Sequence, residues 1–146
     1  MAVSTAAVGK TYPPTTYAVG REKIREYALA VGETNPLHLD AEAARAAGHK
    51  DVVAPPMFAV VYCAPAINPA LFDPEVAINF AMLVHGAQEF AWGELVVAGD
   101  EITTTLTVTS ISERVGNAFY VFTSESVNQD GAHVCTGTWT NIVRGS

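Results

Sequence analysis

Two side chains suited to proton transfer stand in one polar run, Glu33-Thr34-Asn35-Pro36-Leu37-His38-Leu39-Asp40. A carboxylate and an imidazole on one short loop can hold a single water between them and move a proton through it, which is the work of a general acid–base pair. Asn35-Pro36 sets the bend between them, because a residue preceding proline is held extended. The plainer reading is a solvated Glu33 after a helix-ending Gly32, with His38 capping or packing. His85 reads first as a strand histidine, hydrogen-bonded in a core or interface, and only secondarily as a catalytic candidate. His49 and His133 are scattered, and no CxxC or HxxxH spacing occurs. Neither a metal site nor a cofactor is therefore expected. Cys63 and Cys135 sit in apolar stretches and read as reduced, buried thiols.

The elements that must position this run can be read from periodicity. Tyr12-Pro13-Pro14 is extended, and Thr15 to Val19 suits a short strand. Ile24, Tyr27, Ala28 and Val31 share one face of a helix over about Arg21 to Val31, which Gly32 stops. Residues 33–40 read as a polar turn. Asp40 caps a short Ala-rich helix, Ala41 to Ala47, closed by Gly48. Pro55-Pro56 opens a helix from Met57 to Ala64. It is apolar on nearly every side and so is expected to be buried, with Pro65 and Pro69 ending or kinking it. Residues 68–78 read as a loop. The second half changes period: strands over Phe80 to Trp92, Glu101 to Ser112, Ala118 to Val127 and Val134 to Val143 are joined by turns at Gly116-Asn117 and at residues 128–131. Gly99-Asp100 reads as a turn, with Asp100 structural. Of Phe58, Tyr62, Phe80, Phe90 and Trp92, most are expected in the core, some lining a tunnel beside the central helix.

Helices first and a strand meander afterwards predict an α+β fold. The expected form is a single hot-dog domain over residues 1–146, with a curved antiparallel sheet wrapped around a buried central helix. Of the 146 residues, 49% are hydrophobic and 16% charged, an apolar surplus that suits a subunit interface. The net charge of −7 without a Lys/Arg cluster argues against nucleic acid. No run reaches the ~18 apolar residues of a membrane helix, and the first ten residues lack a signal-peptide pattern. A cytoplasmic protein is the expectation.

Tyr27-Ala28-Leu29-Ala30-Val31-Gly32-Glu33-Thr34-Asn35-Pro36-Leu37-His38-Leu39-Asp40, followed by Ala44, resembles the motif of the MaoC-like (R)-specific enoyl hydratases and 3-hydroxyacyl-thioester dehydratases. The resemblance implies hydro-lyase chemistry in fatty acid metabolism, on acyl chains carried by CoA or acyl carrier protein. Glu33 and His38 would be the acid–base pair. Asn35, Pro56, Met57 and Phe58 would hold the thioester oxygen and substrate, and His85 would be secondary. Two departures stand out. The family has Asp where this chain has Glu33, and Pro56 offers no N–H where active members commonly have a glycine. The N–H groups of Met57 and Phe58 are expected to remain free there. Ala54-Pro55-Pro56, His85-Gly86-Ala87-Gln88-Glu89-Phe90 and Gly99-Asp100 resemble the N-terminal-half type of MaoC-like dehydratase. That type is found in double hot-dog enzymes, in fungal-type fatty acid synthase dehydratase domains and in small actinobacterial subunits. The resemblance leaves open an active homodimer, or a non-catalytic acyl-binding subunit in a heterodimer with a second MaoC-like chain. A hot-dog thioesterase is a weaker alternative.

Overall fold

The computed structural model describes residues 2–145. Strands β1 (Thr15–Ala18), β2 (Leu83–Trp92), β3 (Glu101–Arg114), β4 (Asn117–Val127) and β5 (His133–Val143) form one antiparallel sheet in the order β1-β3-β4-β5-β2. Helices α1 (Arg21–Ala30), α2 (Pro36–Leu39) and α3 (Ala41–Ala46) precede a 3₁₀ turn, Pro56–Phe58, that leads into the central helix α4 (Ala59–Leu71). The sheet curves around α4, the expected hot-dog arrangement. In β3 the alternation holds, with Ile102, Leu106 and Val108 fully buried and the threonines between them, Thr103, Thr105 and Thr107, half-exposed.

The central helix differs from expectation in two ways. It runs past Pro65 and Pro69 to Leu71, absorbing the start of the expected loop. Each proline removes a backbone donor, but both lie on the solvent side, where water serves the freed carbonyls. Ala66, Ile67 and Ala70 on the opposite side are buried, and that packing outweighs the local cost. The helix is also buried along one face only, with Ala64, Pro65, Asn68 and Pro69 exposed. The small residues Ala59, Cys63, Ala66 and Ala70 let it approach the sheet closely, chiefly over β3, β1 and β4.

Smaller corrections concern ends and turns. A 3₁₀ turn, Phe80–Met82, replaces the first residues expected in β2. The β3–β4 hairpin turns at Val115-Gly116, with φ of 50° and 73°, so Asn117 already pairs with Arg114. Two positive φ values in succession match the strand twist across a two-residue loop. Among the aromatics, Phe58 and Tyr62 are buried, but Phe80 and Trp92 are 53% and 51% exposed. Both lie on or beside β2, an edge strand that α4 does not cover. Among the described residues no helix is long and apolar enough to cross a membrane.

Candidate active site

The run that carries Glu33 and His38 is held at both ends by its own backbone. Helix α1 closes with Gly32 at φ 75°, where the Gly32 N–H donates to Leu29 and the Glu33 N–H to Ala28 (3.2 and 2.8 Å). This paired closure needs a residue in the left-handed region, which glycine enters without a Cβ penalty. It fixes the root of the Glu33 side chain. Residues 36–39 then form a helical turn rather than an irregular one. The Asn35 side chain accepts from the Leu37 N–H (3.0 Å), and Pro36 takes the first helical position. Asp40 caps α3 by accepting from Glu42 and Ala43. Asn35 is thus a capping residue in the geometry, with its Oδ1 committed to the backbone.

His38 is fixed from outside its own loop. Its Nδ1 lies 2.6 Å from the Val53 carbonyl, and the Val53 N–H donates back to Leu37 (2.8 Å). A carbonyl only accepts, so Nδ1 carries a proton, and Nε2 is the atom left to work. Nε2 lies 3.2 Å from Glu33 Oε2, with the His38 side chain 10% exposed and that of Glu33 40%. The structure therefore joins a buried, oriented imidazole to a carboxylate with room to move.

His38 also forms part of the wall of a mainly apolar cavity of about 560 Å³. The rest comes from Leu37 and His49, from residues 53–56, from Tyr62 on α4, from residues 92–96 and from Val134. Backbone bonds from Ala54 to Val96 and from Ala98 to Val52 hold two of these walls together (2.8 and 3.0 Å). Glu33 is not a lining residue; it meets the cavity through His38. Trp92 is part of this wall, its Nε1 donating to the Pro56 carbonyl (3.0 Å).

The other expected binding residues divide. Pro56 lines the cavity, whereas Met57 is 45% exposed and Phe58 is fully buried against Tyr27 (ring centroids 5.6 Å apart). The Phe58 N–H is not free, because it donates to the Pro55 carbonyl (2.9 Å), as tight 3₁₀ turns require. That leaves Met57 as the candidate backbone donor. His85 does not join the pair. It sits exposed on β2, its Nε2 3.1 Å from the Ala87 carbonyl and its ring 5.9 Å from that of Trp139. Asp100 serves its turn, accepting from the Val97 N–H and from Gln129.

Both cysteines are free and buried. Burial raises the Cys63 thiol and pushes Cys135 up to about 11, so both stay protonated and unreactive. Among the described residues no cluster of His, Cys, Asp or Glu could hold a metal. Sequence reasoning missed Val53, whose contribution is a carbonyl and carries no side-chain signal. It also missed residues 93–96, a loop whose place in the wall depends on pairing with 52–54.

A hot-dog sheet around one central helix, with a histidine-bearing loop opening on an apolar cavity, defines a domain of the MaoC-like hydratase and dehydratase class. The chain belongs to the family described as the FAS1-like dehydratase domain region, whose model matches residues 6–137. It is 49% identical over 146 residues to a UPF0336 protein of Clavibacter michiganensis subsp. michiganensis, covering 99% of this chain and 98% of that protein. Among solved structures, a chain of the C-terminally truncated HadBC (3R-hydroxyacyl-ACP dehydratase) complex of Mycobacterium tuberculosis is 30% identical, with a TM-score of 0.80 over 93% of this chain and 96% of that one. A MaoC-like dehydratase is 34% identical, with a TM-score of 0.85; the match covers 97% of this chain but 43% of that longer one.

Proposed function

We propose that the chain is a hot-dog subunit of a dehydratase that interconverts (3R)-hydroxyacyl and 2-enoyl thioesters of CoA or acyl carrier protein. Glu33 and His38 are its acid–base pair. One observation carries the reading: an oriented imidazole, 3.2 Å from a carboxylate, faces an apolar cavity. In dehydration one member of the pair takes the proton from the carbon next to the thioester carbonyl. The other protonates the departing hydroxyl, and water leaves. Hydration runs the same steps in reverse. The Met57 N–H is the available donor to the thioester oxygen. The reading implies a cytoplasmic protein.

A second reading has specific support. A water bridging the pair needs its two partners roughly 4–5 Å apart, and the longer Glu33 side chain instead touches the imidazole. Pro56 has no N–H to offer, and the match to less than half of a longer MaoC-like dehydratase fits one half of a two-domain enzyme. In this reading the chain holds the acyl group, while a second MaoC-like chain, paired along β2, supplies the working Asp and His.

Purified protein with crotonyl-CoA separates the two. The first reading expects loss of the enoyl-thioester absorbance, reduced about 100-fold or more in His38→Ala. Glu33→Asp should keep or raise the rate, because one methylene less reopens the water's place. Turnover unaffected by His38→Ala sinks the pair. No turnover alone, restored by a second MaoC-like chain, supports the acyl-binding subunit. Release of free thiol would instead mean thioester hydrolysis.

A further inference from the structure

The Val53 carbonyl that fixes the His38 ring lies in a short segment, residues 51–54, outside the helices and strands named above. The segment's hydrogen bonds to its neighbours run from the backbone. Val52 accepts from the Ala98 N–H (3.0 Å), Val53 donates to Leu37 (2.8 Å) and Ala54 donates to Val96 (2.8 Å). These bonds tie it to the cavity wall and to the histidine loop. None of them reaches α1 or α3, the helices that flank the Glu33–His38 run.

A side chain makes that connection. Asp51 Oδ1 accepts from the Val52 N–H (2.8 Å) and from Arg21 Nε (3.0 Å), and Oδ2 accepts from Arg21 Nη2 (2.6 Å). Arg45 Nη2 lies 3.6 Å from Oδ2. Arg21 opens α1, and Arg45 stands in the last turn of α3. One carboxylate therefore joins the helix before the acid–base run, the helix after it and the segment that aims the imidazole. The two-pronged arginine contact gives the junction direction as well as strength. The Asp51 side chain is 16% exposed. The Arg21 contact, then the Val52 N–H, holds its pKa at about 2, so it stays charged at any working pH.

We propose that Asp51 is a positioning residue for His38: it holds the Val53 carbonyl where that oxygen selects the ring's tautomer and aims Nε2 at Glu33. The inference rests on reading Glu33 and His38 as the acid–base pair, and adds to it a residue that touches neither. With Asp51 in place, Val52 and Val53 cannot shift without breaking the arginine contact. Without it, backbone bonds alone hold the segment, and the carbonyl is free to drift from Nδ1. An ion pair to half-exposed arginines adds little stability by itself, so the expected consequence is lost aim and not unfolding.

The test combines imidazole nitrogen NMR with crotonyl-CoA hydration, on the purified wild-type chain, Asp51→Ala and Asp51→Asn. Asp73→Asn, which breaks an ion pair elsewhere, is the control. The His38 signals, assigned by their absence in His38→Ala, should show a protonated Nδ1 and a bare Nε2 in the wild type. In Asp51→Ala they should move toward the average of the two tautomers. The same variant should lose about ten-fold in kcat, short of the ~100-fold that an ångström of misplacement can cost, with KM nearly unchanged. Asp51→Asn keeps an acceptor for the Val52 N–H and should show both effects in smaller measure. A folded Asp51→Ala protein whose His38 keeps the wild-type signature overturns the proposal, whatever its activity. An equal shift in Asp73→Asn also overturns it, because the effect would then be general loosening. Should Asp51→Ala fail to fold, Asp51→Asn decides, and an unmoved His38 signal there overturns the proposal. A wild-type chain without turnover would count against the acid–base reading alone, since the NMR signature is read without substrate.

Discussion

The two halves of the sheet's inner face do opposite jobs. Over β3 and β4 the helix seals the surface: Ile102, Leu106, Val108 and Phe122 are all 0% exposed. Even the polar groups there are paired, Thr104 with Ser126 and Trp139 with Ser124, each at 2.8 Å. Over β2 the same face stays open. Trp92 is half-exposed, Phe90 packs edge-on against Trp139, and nearby Phe72 and Phe80 stack at 5.0 Å while both remain exposed. A single helix cannot cover five strands and also leave a cavity. Stability is therefore concentrated in the sealed half, and the open half is where the proposed acyl chain or second hot-dog chain would bind.

Substitutions can break that division. Phe58 anchors the sealed half, its ring meeting those of Tyr17, Tyr27 and Tyr62. Phe58→Ala should cost about 3–5 kcal/mol in urea unfolding. Trp92→Ala removes an equally large aromatic from the open half and should cost less than about 1 kcal/mol of stability, while weakening acyl-CoA binding. Equal losses of stability would show that the two halves are one core. Val84, 39% exposed on the β2 edge, sharpens the comparison from the other side. Val84→Lys should change unfolding by no more than about 0.5 kcal/mol, yet weaken association with a second MaoC-like chain about ten-fold, because a buried lysine at a strand edge blocks pairing. Sedimentation of the mixed chains reads the difference.

The same division explains what could be read from the residues alone. Gly32 and Asp40 act on backbone within a few residues, and the helix stop and the cap they announce are both present; the cap made by Asn35 is hidden because residues 33–40 read as a turn. The strand pattern from Glu101 onward is local in the same sense. What failed depends on distant partners. Pro65 and Pro69 look like breakers until Ala66, Ile67 and Ala70 find a sheet to pack on. Trp92 and Phe80 look like core until β2 proves to be an edge strand, joined not to its neighbour in sequence, β3, but to β5. In the site, the meeting of Glu33 and His38 follows from one loop, but the ring's orientation comes from Val53, fifteen residues away.

A weaker test of the sealed half lies at its rim, where Asp73, just past the end of α4, holds the N-terminal segment. Lys10 Nζ and the Tyr12 hydroxyl each reach Asp73 Oδ2 at 2.6 Å, and Tyr12 in turn donates its N–H to Leu106 on β3 (3.0 Å). The hydrogen bond from Lys10, then that from Tyr12, lowers the Asp73 pKa from 3.8 to about 2. A carboxyl depressed in the folded state stabilises above its unfolded pKa, and that contribution is lost as pH falls through the folded one. The melting-temperature advantage of the wild-type chain over Asp73→Asn should therefore be constant from neutrality down to mild acid. It should shrink between about pH 4 and pH 2, and be smaller in high salt because Lys10 is partly exposed. A gap that stayed constant down to pH 2 would mean that the carboxylate charge does not hold the segment.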